Sequence, residues 1–137
     1  MAASVSNVVV LDSWAVMSYF QGEPSSHVVK EILITAQGGK KRLLMTVVNA
    51  GEVWYSYARR ASEDIANERI RQLKMTGVEF VAADWDLTMA AARFKARNAI
   101  AYADCFAAAL AKQENARLLT GDPEFRKLEN EISITWL

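Results

Sequence analysis

Apolar positions along this chain follow two alternating rhythms. Short runs of consecutive aliphatic or β-branched residues are separated by longer stretches in which apolar residues recur every three or four positions. The first rhythm predicts buried strands and the second predicts helices. Val8–Leu11 (VVVL) reads as a strand bounded by Asp12-Ser13, and Trp14–Phe20 as a helix broken by Gln21-Gly22-Glu23-Pro24. Ser25–Gln37 carries apolar residues at 28, 29, 32, 33 and 36, which is helical spacing, and Gly38-Gly39 ends it. Leu43–Val48 is a second strand, followed by a helix through Asn49–Arg60. Ser62 with Glu63 starts the next helix, running towards Met75 with Gly77 as its stop. Val78–Val81 is a third strand, and Asp84 caps an Ala-rich helix over Trp85–Asn98. Tyr102–Asn115 is a further helix, Arg117–Thr120 a fourth strand and Ile132–Thr135 a short fifth.

Strands alternating with helices of this length predict an α/β/α sandwich with a central, mostly parallel sheet. No Pro/Gly/Ser-rich linker or internal repeat divides the 137 residues, so one domain over 1–137 is expected. The balance of 52% hydrophobic and 23% charged residues is that of a globular protein, not a disordered one. No apolar run approaches a bilayer span, and MAASVSNVVVLD lacks the basic n-region of a signal peptide. Cys105, the single cysteine, excludes an intramolecular disulfide and fits a reducing compartment. A cytoplasmic protein without a membrane partner is therefore expected.

Sixteen basic residues balance sixteen acidic ones, which is not the charge of a protein that coats nucleic acid. A nuclease remains open, with acids gathered in a site and bases around its rim. Lys40-Lys41-Arg42, Arg59-Arg60 and Arg93/Lys95/Arg97 are candidates for that rim, although each run taken singly reads first as solvated surface.

The candidate chemistry lies in four acids, each at or near the end of an apolar segment: Asp12 after VVVL, Glu52 in TVVNAGEVW, Asp104 in YADCFAAALA and Asp122 in LLTGDPEF. A carboxylate beside a buried segment is costly unless it is neutralised. In parallel α/β sheets, sites form beyond the carboxyl ends of the strands, where Asp12, Glu52 and Asp122 all fall. Asp104 would reach the same edge from the start of its helix. If they converge, the natural counter-ion is a hard divalent cation, Mg²⁺ or Mn²⁺.

Local alternatives exist for each acid. Asp12 reads equally as an N-cap, with Ser13 sharing that role or holding a water. Glu52, in the first turn of its helix after the cap Asn49, would gain from the helix dipole alone. Asp104 could cap its helix, though the small residues around it leave room for an ion. Asp122 sits in good turn chemistry, Gly121-Asp122-Pro123, with Thr120 placed to orient a carboxylate. Asp84, Asp86 and Glu124 read as helix starts, and Glu63, Asp64, Glu68, Glu129 and Glu131 as surface. A His-based acid–base pair is disfavoured by the single His27, which lies in a polar loop or helix start, and Cys105 reads as core. There is no zinc spacing, Walker A loop or GxGxxG.

These segments resemble the PIN domain and, within it, the VapC-type toxin ribonucleases of prokaryotic toxin–antitoxin pairs. The likeness is carried by VVVLDSWAVMSYF, TVVNAGEVWYSYAR, LTMAAARFKARNAIAYADCFAAALA and ARLLTGDPEFRKLE, in that order. YADCFAAALA with LLTGDPEF is its most specific part. The resemblance implies that Asp12, Glu52, Asp104 and Asp122 are the family's four acids, with Asp12, Asp104 and Asp122 as metal ligands. It makes Ser13, Asn49 and Thr120 supporting groups. It also implies a Mg²⁺- or Mn²⁺-dependent endoribonuclease acting on tRNA, rRNA or mRNA, a homodimer, and a cognate antitoxin that covers the acidic site. Helical spacing places Tyr55 and Arg59 on the face of Glu52, where they could contact RNA or pack in an interface. Two other classes remain: a non-catalytic PIN-like binding module, and a metal-dependent phosphoesterase acting on DNA or a small phosphate ester.

Overall fold

The computed structural model describes residues 7–137; the first six residues of MAASVSNVVVLD, the segment weighed as a signal peptide, lie outside these described residues. Five strands form one parallel sheet in the order β3-β2-β1-β4-β5. They are β1 (Val8–Leu11), β2 (Arg42–Thr46), β3 (Val78–Val81), β4 (Arg117–Thr120) and β5 (Ser133–Trp136). The helices are α1 (Ser13–Phe20), α2 (Ser26–Gln37), α3 (Val47–Arg60), α4 (Glu63–Met75), α5 (Trp85–Arg97) and α6 (Tyr102–Gln113). A 3-10 helix over Pro123–Leu128 links β4 to β5. The α/β sandwich with a parallel centre is thus what the apolar rhythm predicts, and here every strand pair is parallel.

All four side chains of β1 are buried, because helices cover both faces of the central strand. Period-2 alternation divides them. Val8 and Val10 enter one core with Phe94 of α5, with Phe106 and Leu110 of α6, and with Phe125. Val9 and Leu11 enter the other, against α1, α2, α3 and α4. Residues 104–111 of α6 are all buried, and six of them have side chains no larger than cysteine or aspartate. Such an all-round buried helix packs close to both α5 and the sheet, so Asp104 is carried into the core rather than onto a surface.

The expected elements appear with two informative differences. Val47 and Val48 were expected to extend β2, but they form the first turn of α3. The reason is Thr46, whose Oγ1 accepts a hydrogen bond from the Asn49 backbone N–H at 3.0 Å and so caps the helix three residues earlier than expected. Asn49 is therefore not the cap, and Glu52 stands in the second turn rather than the first. The helix dipole consequently accounts for less of its placement. The second difference is the 3-10 helix, in which Asp122 Oδ1 accepts from the Glu124 N–H at 3.0 Å and Pro123 occupies the first turn.

Strand order reverses direction at β1. The chain moves outward through β2 and β3, then crosses back to place β4 on the other side of β1. The gap between β1 and β4, beyond their carboxyl ends, is the topological switch point where open α/β sheets form their sites.

Candidate active site at the carboxyl edge of the sheet

Asp12 follows β1 at this switch point and is 1% exposed. It is an N-cap, as one of its two local readings held: Oδ1 accepts from the Ala15 N–H at 2.8 Å. Its other oxygen reaches across the sheet. Thr120, at the end of β4, donates its hydroxyl to Asp12 Oδ2 at 2.5 Å, and the same Thr120 oxygen accepts from the Asp122 N–H at 3.0 Å. One buried threonine therefore fixes both the carboxylate after β1 and the loop bearing the carboxylate after β4.

Glu52 is held by a second network. Ser13 donates its hydroxyl to Glu52 Oε1 at 2.8 Å, and Asn49 Nδ2 approaches the same oxygen at 3.4 Å. Asn49 also donates to the Ala103 carbonyl at 3.1 Å, and Thr46 donates to Asn49 Oδ1 at 2.5 Å. Asn49 is fully buried and ties α3 to the residue preceding Asp104. The three supporting residues named from sequence, Ser13, Asn49 and Thr120, each touch the acids' framework directly.

Asp104 differs from the others. It lies in the first turn of α6 but does not cap it, and no hydrogen-bond donor among the described residues serves its carboxylate. It is nevertheless only 8% exposed. Burial, then the charges of Asp122, Glu52 and Glu124, push its pKa up to about 7. Burial likewise pushes Asp12 up to about 7, opposed by its bonds from Thr120 and Ala15 and reinforced by Asp104 and Asp122. Residues far apart in sequence thus repel one another across one edge of the sheet. Glu124, expected only to start a helix, adds its charge to this field; its position two residues after Asp122 was the available signal.

An open cleft of roughly 760 Å³ lies over these groups, lined by Ser13, Glu52, Asp104 and Asp122. Asp12 sits behind it as a buried support. Tyr55 also lines the cleft, whereas Arg59 lies over the Tyr55 ring at 5.0 Å from its centroid, outside the lining. His27, in the first turn of α2, bonds to the carbonyl of Pro24 in the preceding loop at 2.7 Å. Cys105 is buried, with its thiol pushed up to about 11, so it is inert at neutral pH.

The donor set here is entirely hard oxygen, with an unpartnered buried carboxylate at its centre. That chemistry fits a divalent cation such as Mg²⁺ or Mn²⁺. Among the described residues no three acidic side chains already stand as a closed ligand cage. The donors fit the class of ion without forming a preassembled shell.

Fold and site together define a parallel α/β domain whose acids gather at the sheet's switch point. The chain belongs to the PIN-domain family, whose model matches residues 9–131. No curated protein matches the sequence. Solved structures match it in fold. VapBC2 from Rickettsia felis, bound to a promoter DNA fragment, is 14% identical over 93% of this chain and 97% of its own, with a TM-score of 0.73. VapC20 of Mycobacterium tuberculosis, a sarcin-ricin loop cleaving toxin, is 16% identical over 87% and 93%, at 0.67. FitAcB from Neisseria gonorrhoeae is 20% identical over 92% and 95%, at 0.66. No helix among the described residues is long and apolar enough to cross a membrane.

Proposed function

We propose that this protein is a metal-dependent endoribonuclease of the VapC toxin type, hydrolysing RNA phosphodiester bonds at the acidic cleft. The observation that carries the reading is the convergence of Asp12, Asp104 and Asp122 on one switch point from three separate elements, where burial first and then their neighbouring charges push Asp12 and Asp104 up to about 7. PIN-family membership and the VapC-like fold support it.

Asp12, Asp104 and Asp122 would hold Mg²⁺ or Mn²⁺. A bound cation of this kind supplies an acidified water and neutralises charge on the scissile phosphate. The remaining work belongs to the chain. Thr120 aims Asp12 by donating to Oδ2 and favours its ionised form against the effect of burial. Glu52, oriented by Ser13 and Asn49, would accept a proton from the attacking water. Tyr55 and Arg59 offer an aromatic face and a cation beside the cleft for RNA. Two partner assignments follow from the VapC type: a homodimer, and a cognate antitoxin whose segment covers the cleft. Structural neighbours that are toxin–antitoxin complexes support the second.

The test is cleavage of a panel of tRNA, rRNA and mRNA fragments, with single-stranded DNA and small phosphate esters alongside. Reactions contain Mn²⁺, Mg²⁺ or chelator. RNA cleavage that chelator and Asp104→Asn both abolish is expected. Turnover of only DNA or small esters would make the protein a different phosphoesterase. No turnover of any substrate by metal-bound protein would make it a binding module.

A further inference from the structure

The cleft contains two residues that the acidic chemistry does not use. Trp14 immediately follows Asp12-Ser13, is 37% exposed, and lines the cleft. Its six-membered ring lies so close to Gly121 that a Cβ there would overlap it. Gly121 does not have a positive φ among the described backbone, so this glycine serves the indole rather than a left-handed turn. The ring therefore bridges the first turn of α1 to the loop after β4, between residues adjoining Asp12 and Asp122, and packs against the Gly121 backbone.

Arg60 is the second. It is the one cation among the lining residues, which also include Glu23, Glu52, Asp104 and Asp122. Yet the ion pairs among the described residues are Arg42–Glu79, Arg71–Glu68 and Arg126–Glu129, and none involves Arg60. Arg59, its neighbour, is occupied by Tyr55. An arginine facing a cleft of acids without pairing to any of them is available to an anion from outside.

We propose that Trp14 and Arg60 determine which RNA the cleft accepts, Trp14 by stacking on an unpaired base and Arg60 by binding a backbone phosphate. This rests on the ribonuclease reading and adds its selectivity. An indole is a π-platform for any base, but only a base free of its partner can lie on a ring seated inside a cleft. The guanidinium fork suits phosphate oxygens and carries no sequence preference. The pair gives the cleft a platform for an unpaired base and an anchor for a phosphate.

The experiment is fluorescence anisotropy, in Ca²⁺ or chelator, with a labelled single-stranded RNA and with the same RNA annealed to its complement. Wild type is expected to favour the single strand. Trp14→Ala should weaken single-strand binding by roughly 5- to 150-fold, the range for one lost stack, and leave duplex binding unchanged. Trp14→Phe keeps a smaller aromatic platform while giving up the outer ring edge that meets Gly121, so it should retain part of the preference, and a melting curve of each variant guards against a folding defect. Arg60→Gln should weaken both forms and reduce the salt dependence of single-strand binding by about 0.7 of a log unit per log unit of salt. Equal single-strand affinity in wild type and Trp14→Ala, or a salt slope unmoved in Arg60→Gln, overturns the proposal while wild type still cleaves RNA. If wild type neither binds nor cleaves RNA, the ribonuclease reading itself falls.

Discussion

Two groups of carboxylates in this molecule experience opposite electrostatics. On the exposed surface, Glu79 receives two bonds from Arg42 and Glu68 two from Arg71, and these arginines hold both acids below the usual carboxylate range. At the cleft, burial and neighbouring acids push Asp12 and Asp104 up to about 7, and no arginine pairs with either. The difference is one of compensation. Surface acids are neutralised within the chain, where the solvent would have tolerated them anyway. The buried acids are left to repel one another, where repulsion costs most. Under the proposed metal-dependent reading, these buried acids are where a divalent cation would supply the compensation that arginines supply at the surface.

The sharpest way to break this comparison is to neutralise one cleft acid. Asp104→Asn removes a charge that no donor serves, so RNA cleavage is expected to fall by more than about 100-fold, beyond the loss typical of an outer-shell group. The melting temperature at pH 8 should hold or rise, because the lost carboxylate was repelled rather than bonded. Glu68→Gln, on the surface, should leave cleavage unchanged. A joint loss of activity and stability in Asp104→Asn would place that residue with the structural acids instead.

Thr120→Val tests the support beneath Asp12. It removes the hydroxyl that donates to Oδ2 and accepts from the Asp122 N–H, at nearly constant volume. Cleavage should drop about 10- to 100-fold, as for other groups that orient a ligand.

The pH dependence of metal-free stability sharpens the contrast. Asp12 and Asp104 have folded-state pKa values raised from 3.8 to about 7, so between those limits the folded protein binds more protons than the unfolded chain. Their contribution to stability is then greatest below about pH 4, declines as pH rises, and is fully lost above about 7. Thermal melts in chelator from pH 4 to 8 should show this decline, shallower in Asp104→Asn; melts that rise steadily with pH would contradict it.

The smallest effect is mechanical. Gly121→Ala forces a methyl group into the Trp14 ring and should cost about 1–3 kcal/mol by denaturant titration. Combining it with Trp14→Ala should relieve most of that cost, since the two substitutions share one contact.

Much of this architecture was legible along the chain. The strands are short apolar runs because both faces of the central sheet are covered, and that burial leaves no polar position to disguise them. The four acids stood out because each interrupts or ends such a run. What local pattern could not give was contact across distance. Val47 and Val48 look like strand until Thr46 is seen capping the helix they begin. Asn49 looks like a cap until its side chain is found on the Ala103 carbonyl. Gly121 reads as turn chemistry, yet its lack of a side chain serves an indole more than 100 positions earlier. Arg59 and Arg60 are adjacent and chemically alike; only helix rotation sends one onto Tyr55 and the other into the cleft.

The most direct test of the account is calorimetric titration of Mn²⁺ into the metal-free protein at pH 7, in two buffers of different ionisation enthalpy. If the cleft acids are partly protonated for want of a counter-ion, binding must displace protons. The account predicts saturable Mn²⁺ binding with net proton release, both greatly reduced in Asp104→Asn. Binding without proton release, or the same release in the variant, would contradict it.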